Sequence, residues 1–343
     1  MEPGFYLVVP FGIVAAKDRP PQLFELGADA WIATRDHAPV DEWLKRMLGN
    51  IEEVGWARHE IFSVKRANHC LVIRLPASTP TDPHGFFSNA VTEDQGARRR
   101  SKQPLPPEVN RAFSALLVAG RTDFAFTVCF MAEHERDRSS ARWGSSVGWQ
   151  GRSRELLSPD YPPEPVGDRL LERARAVFAN LSRLPNEEAR PAVAADAFRR
   201  AIFEEDWRME IILMTAALEP LFSPGEGELS HQICERAAAF VCDPGTDRVE
   251  TYRRLKAFYG LRSKLVHGAL GGARNDARVK QVVDALDFIE DVVRKSLYRI
   301  LTDRGMIEMF CASHDTKLRD YFLGLLLDPC FAHRAGNHAA APE

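Results

Sequence analysis

Tyr259-Gly260-Leu261-Arg262-Ser263-Lys264-Leu265-Val266-His267-Gly268 ends a helix whose pattern starts near Asp247. Counting back from Arg262, the residues Tyr259, Phe258 and Leu255 fall at i−3, i−4 and i−7, so the guanidinium is in phase with an apolar stripe and not with the solvated face. A cation in that phase requires an anion. His267 follows five residues later, about 7.5 Å along the axis and about 140° around it. Gly268 stands where a left-handed residue would stop the helix. The free carbonyls of a last turn favour imidazolium and nearby cations oppose it, a balance that suits a proton donor and acceptor near neutral pH. An Arg/His pair of this kind suits phosphate chemistry.

The surroundings of the pair are basic. Between Asp247 and Lys280 stand nine Lys or Arg (Arg248, Arg253, Arg254, Lys256, Arg262, Lys264, Arg274, Arg278, Lys280) against three acids (Asp247, Glu250, Asp276), a local balance of +6. The whole chain carries 45 basic and 48 acidic residues, a net charge of −3. That excludes a protein that coats nucleic acid through bulk charge, while a local basic face is what holding a polyanion demands. Arg253, Arg254 and Lys256, on the same helix, are the candidate contacts to such a polyanion.

Working outward, the pattern after residue 165 is helical almost without break. Helices are predicted near 167–183, 190–205, 207–222, 229–242, 247–267, 277–303 and 314–327, separated by turns such as Ser223-Pro224-Gly225 and Asp243-Pro244-Gly245. In 207–222 the apolar residues Ile211, Leu213, Met214, Ala217, Leu218, Leu221 and Phe222 cover more than half the circumference, which predicts a central helix. Before residue 131 the strand-like runs Phe5–Val14, Ala30–Thr34, His69–Leu75 and Phe124–Met131 surround one helix, 40–54, carried by Trp43, Met47, Ile51 and Val54. Thr79–Pro107, with Arg98-Arg99-Arg100, and Glu133–Gly167 read as loops. The fold class expected is therefore an N-terminal α+β domain followed by an all-α helical bundle. Pro162, Pro163 and Pro165 mark the boundary: an α+β domain over 1–160, a bundle over 166–305, and a C-terminal helix and tail over 306–343.

The 343 residues, 45% hydrophobic, suffice for about two cores. Phe5–Val14 is broken by Pro10 and Gly12 and lacks a basic flank, so it reads as a strand and not as an export signal. No run reaches the roughly 18 apolar residues of a membrane span. Six cysteines in 343 residues suit reduced thiols, and a cytoplasmic protein with no membrane partner is expected.

Three rival patterns are weaker. Cys311-x2-His314 and Cys330-x2-His333 have zinc-ligand types and spacings, but an amphipathic helix, Lys317–Leu327, separates them and coincidence is favoured; no metal and no cofactor are expected. Gly144-Ser145-Ser146-Val147-Gly148 fits the lettering of a hydrolase elbow, yet Glu135-Arg136-Asp137-Arg138-Ser139-Ser140 precedes it instead of an apolar strand. Trp143 and Trp149 could stack bases, with packing the favoured reading.

Three motifs stand in order. Ala217-Leu218-Glu219-Pro220-Leu221-Phe222 ends one helix, Glu235-Arg236-Ala237-Ala238-Ala239 lies in the next, and Tyr-x-x-Arg-Ser-Lys-x-Val-His-Gly ends the third. Together they resemble the Apea-like branch of the HEPN superfamily over 207–268, with a helical context reaching roughly 167–305. Pro220 is a departure, expected only to shorten the last turn of its helix. The resemblance implies a metal-independent endoribonuclease, a homodimer with two Arg/His pairs facing across the interface, often a toxin or antiviral effector. Carried over, His267 would be the acid/base and Arg262 would hold the scissile phosphate, with Ser263, Lys264 and Glu219 supporting. The competing expectation is a non-catalytic HEPN interaction, dimerisation or nucleotide-binding module in which the pair is structural. Residues 1–160 resemble nothing named here and are expected to receive a signal, ligand or regulatory partner.

Overall fold

The computed structural model describes residues 1–13, 22–53, 64–75, 107–122, 124–135, 138–151, 163–223, 230–242, 247–268, 276–312 and 316–328. By contacts it divides into two compact units: Met1–Leu116, Gly120–Arg152 and Pro163–Ala179 form the first, and Leu117–Ala119, Ser153–Pro162 and Asn180–Glu343 the second.

The first unit is built on a six-stranded antiparallel sheet in the order β2-β3-β4-β1-β5-β6, with β1 Gly4–Ile13, β2 Leu23–Gly27, β3 Ala30–Thr34, β4 His69–Arg74, β5 Phe124–Glu135 and β6 Arg138–Gly151. β1 lies inside the sheet, and Tyr6, Leu7, Val8, Val9 and Phe11 are all buried, which is why it reads as a continuous apolar run and not as an alternating one. One face carries α1 (Ala38–Glu53), whose Val40, Trp43, Leu44 and Met47 form a core with Tyr6, Val8, Cys70, Val72, Phe130 and Ala132. The other carries α2 (Pro107–Ala119), where Phe113 meets Phe11 edge-on at 5.7 Å and stacks on Phe126 at 4.5 Å.

Phe126 and Phe130 are an even number apart on β5 yet face opposite helices. Between the pairs Val8–Phe130 and Gly12–Ala125, β5 holds one residue more than β1, and one inserted residue reverses every side chain beyond it. Pairing of β1 with β5 is interrupted between Val8 and Gly12, so Pro10, which has no N–H to donate, falls where no β5 bond is made.

Helix α3 (Asp168–Leu181) belongs, through Ala179, to the first unit. Nε of Arg175 donates to the Glu25 carbonyl at 2.7 Å, its guanidinium covers the Phe24 ring at 4.4 Å, and Arg173 pairs with Glu164 at 2.5 Å. The proline-rich segment near 165 is thus not the edge of the first unit, because this helix is held by the sheet's own residues.

The second unit is helical: α4 Arg190–Ile202, α5 Trp207–Phe222, α6 Ser230–Val241, α7 Arg248–Val266, α8 Asp276–Thr302, α9 Arg304–Phe310 and α10 Thr316–Leu327. As its pattern required, α5 buries Ile211, Met214, Ala217, Leu218, Leu221 and Phe222 completely. Phe222, Phe240, Phe310 and Phe322 join in edge-on and tilted contacts of 5.6 to 6.2 Å. The C-terminal helices α9 and α10 are therefore part of the bundle's core and not an appended tail.

The structure holds elements that the sequence pattern does not predict. Glu133–Gly167 is not a loop throughout: β5 continues to Glu135 and β6 follows, a strand at the sheet edge whose backbone pairs with β5 alone. β2, α2 and the seven-residue α9 were likewise not anticipated. Helix α5 does not shorten at Pro220 but runs on to Phe222, with the Ser223 N–H donating to the Glu219 carbonyl at 2.9 Å. Arg98-Arg99-Arg100, Val54, and most of Thr79–Pro107 lie outside the described residues, as do the side chains of Ile51, Trp143 and Trp149.

Candidate functional site

Helix α7 starts on an Asp247 cap, whose carboxylate accepts from the Glu250 N–H at 3.0 Å, and buries Leu255, Phe258, Tyr259 and Leu261. It ends where its sequence requires. His267 takes the C-cap position, its N–H donating to the Ser263 carbonyl at 3.1 Å, and Gly268 turns the chain with a φ of +66°, donating to Leu265 at 3.1 Å. A side chain at that φ would be strained, so glycine sets where the helix stops.

The residues singled out from the sequence fall into different environments. Arg262 is half-buried, its Nε enclosed and without a hydrogen-bond partner among the described residues. His267, Ser263 and Lys264 are exposed on the last turn. Helical geometry sets the His267 ring about 140° around the axis from Arg262, so within one chain the guanidinium is turned towards the bundle and the imidazole towards solvent. Glu219 is exposed in the last turn of α5 and forms no ion pair with a described residue. Its charge reaches Tyr259.

The three candidate RNA contacts meet three different neighbours. Arg253 reaches Glu250 on its own helix at 3.9 Å; Arg254 lies over the Phe288 ring of α8 at 3.9 Å; Lys256 donates to Ser230 Oγ of α6 at 3.4 Å. Each is spoken for by a different neighbour. Sequence spacing placed them on one helix, where Arg253 and Lys256 lie about 60° apart and Arg254 is turned about 100° from Arg253.

Arg236, part of the second motif, has a structural role: it donates to the Phe222 carbonyl at 3.0 Å and lies over the Phe322 ring at 5.6 Å. Arg190 adds bonds of 3.0 Å to the Pro220 and Ser223 carbonyls. These two guanidiniums satisfy the end of α5, which holds Glu219 beside α7.

Two features were missed. Tyr259, in phase with the apolar stripe of α7, is buried with its hydroxyl unpartnered among the described residues. Its position three residues before Arg262 was a usable signal. Glu290 and Arg294 form a largely buried i,i+4 ion pair inside α8, visible in the sequence only as charges interrupting an apolar stripe.

Of the zinc alternative, Cys311 is described while His314, Cys330 and His333 lie outside the described residues. Gly144–Gly148 lies within β6, not at a strand-to-helix turn, which excludes a hydrolase elbow there. No helix among the described residues is long and apolar enough to cross a membrane. No protein-family model, no curated protein and no solved structure matches this chain.

Proposed function

We propose that the second unit is a HEPN-type bundle acting as a metal-independent endoribonuclease on RNA, working as a homodimer, with Arg262 and His267 as its catalytic residues. One observation carries the reading: the long helix α7 ends on an exposed His267, stopped by left-handed Gly268, and holds a half-buried guanidinium with a free Nε one and a half turns earlier. A guanidinium with an enclosed, unused donor is a receptor for an oxyanion. An exposed imidazole at a helix end is open to a substrate.

In the reaction, His267 takes the proton of a ribose 2′-hydroxyl as its oxygen attacks the adjacent phosphorus. The P–O5′ bond breaks, and the departing 5′-oxygen receives a proton from an imidazolium, leaving a 2′,3′-cyclic phosphate and a 5′-hydroxyl. Arg262 neutralises the charge that develops on the non-bridging oxygens. Two copies meeting through α7 would bring a second His267 to the opposite side of the phosphate, so that one acts as base and the other as acid. Ser263 and Lys264, exposed on the same turn, are supporting contacts.

The test is purified protein mixed with total RNA in excess EDTA, beside an Arg262→Ala/His267→Ala double variant. Cleavage to cyclic-phosphate ends that spares DNA, and is absent from the double variant, is expected. Cleavage that vanishes with EDTA, or persists in the double variant, overturns the mechanism. A chain that dimerises but cleaves no RNA is the non-catalytic interaction module instead.

A further inference from the structure

Tyr259 is 8 % exposed, and its hydroxyl has no hydrogen-bond partner among the described residues; the same is true of Nε of Arg262. The two are three residues apart on α7, about 4.5 Å along the axis and about 60° around it, so both lie on one flank of the helix. Nε of an arginine can only donate. Burial raises the Tyr259 hydroxyl well above the ordinary phenol range, and the Glu219 charge raises it further, while Arg262 acts in the opposite direction. It therefore stays protonated and donates as well. Cys234 of α6, whose charge would also bear on Tyr259, is pushed up to about 12 by burial and is a neutral thiol. Lys256 acts on Cys234 and supplies a second cation on this side, and Glu219 is the anion that opposes them.

Two enclosed donors without an acceptor leave desolvation uncompensated. What completes them is an acceptor with at least two oxygens and negative charge. We propose that Tyr259 Oη and Arg262 Nε together hold the non-bridging oxygens of an RNA phosphodiester, Tyr259 being a positioning residue that fixes the phosphate against the guanidinium. This rests on the ribonuclease reading above for the identity of the ligand, not for the existence of the anion site. Glu219, exposed on the last turn of α5, sets a negative charge against Tyr259 and so favours a singly charged diester over a doubly charged monoester.

The full-length chain and its Tyr259→Phe variant are melted in increasing inorganic phosphate at constant ionic strength, and again with a 2′-O-methylated oligoribonucleotide, which keeps the diesters but cannot be cleaved. Without anion, Tyr259→Phe should melt at or above the wild type, because it removes an unsatisfied hydroxyl. The concentration of either ligand giving half the stabilisation should rise roughly tenfold, the loss of one charge-assisted hydrogen bond. In RNA cleavage the same variant should raise KM by a similar factor and leave kcat nearly unchanged. A variant that melts below the wild type without anion shows that the hydroxyl has an internal partner, and overturns the proposal. So does a wild type that neither ligand stabilises, or an equal response in both proteins, which would mark a hydrated hydroxyl. If both ligands bind through Tyr259 and no RNA is cut, the anion site stands and the ribonuclease reading fails.

Discussion

His69 shows how one buried side chain ties stability to pH. It is 3 % exposed in β4, Nδ1 meets Asn68 Oδ1 at 3.0 Å, its ring lies 6.1 Å from Phe11, and Nε2 has no partner among the described residues. Desolvation lowers its pKa to about 4, against a small opposing pull from Asp36. The folded value lies below the ordinary 6.5, so between about 4 and 6.5 the unfolded chain binds more protons than the folded one. Stability is complete above that window and declines as pH falls through it, by on the order of 3 kcal/mol. Denaturant titrations at pH 7.5 and pH 4.5 should show this loss in the wild type and a much smaller one in His69→Leu; equal losses refute the assignment. His267, by contrast, is exposed and caps α7 through its backbone. His267→Ala should leave the melting temperature unchanged while abolishing RNA cleavage, and Arg262→Lys should cleave poorly because an ammonium cannot reproduce the planar donor set.

Among the elements, α5 and α3 make the clearest claims. The end of α5 is secured by Arg236 and Arg190, whose guanidiniums donate to the Phe222, Pro220 and Ser223 carbonyls. Pro220 removes the N–H that would have reached the Ala216 carbonyl, so the last turn depends on these outside donors. Arg236→Ala should therefore cost about 1.5 kcal/mol, read as a lowered denaturation midpoint of the bundle, and Arg236→Lys should recover part of it. No change in Arg236→Ala would mean that water serves these carbonyls equally well. Where α3 meets the sheet, a Cβ on Gly27 would stand 2.6 Å from Cε1 of Phe178. Gly27→Ala overpacks that contact and should destabilise the first unit by about 1–3 kcal/mol, with Phe178→Leu in the same chain relieving part of the loss.

At the scale of the whole molecule, the position of α3 decides how the chain can be divided. Residues 1–181 should unfold cooperatively, whereas 1–165, which lacks the helix that supplies Arg173, Arg175 and Phe178, should melt lower or over a broad range. Calorimetric transitions that coincide for the two fragments would show α3 to be dispensable. A first unit that receives a signal or partner, as expected of residues 1–160, and restrains the second predicts that residues 182–343, expressed alone, arrest growth more strongly than the full chain, and that His267→Ala removes the arrest. A fragment that folds and dimerises but is no more toxic would make the first unit a substrate-binding module rather than a restraint.

Periodicity alone determined most helices of the second unit, because 3.6-residue repeats of large apolar side chains have one stable solution, and the stop at His267-Gly268 could be read from a single glycine. The central strand β1 was legible for the same reason: a run buried on both faces is apolar at every position. The edge strand β6 was not. Its residues Arg138–Gly151 carry Ser, Arg and Gly, and it exists because β5 offers backbone partners, which no local preference records. The assignment of α3 to the first unit was likewise settled by tertiary contacts, since an amphipathic helix states that it has a buried face and not which element buries it. In the candidate site, helical phase put Arg262 in line with the buried residues of α7, but the enclosure of its Nε and of the Tyr259 hydroxyl is a result of packing, as are the three different neighbours of Arg253, Arg254 and Lys256. Local sequence sets which atoms a helix presents; only packing decides which of them remain without a partner.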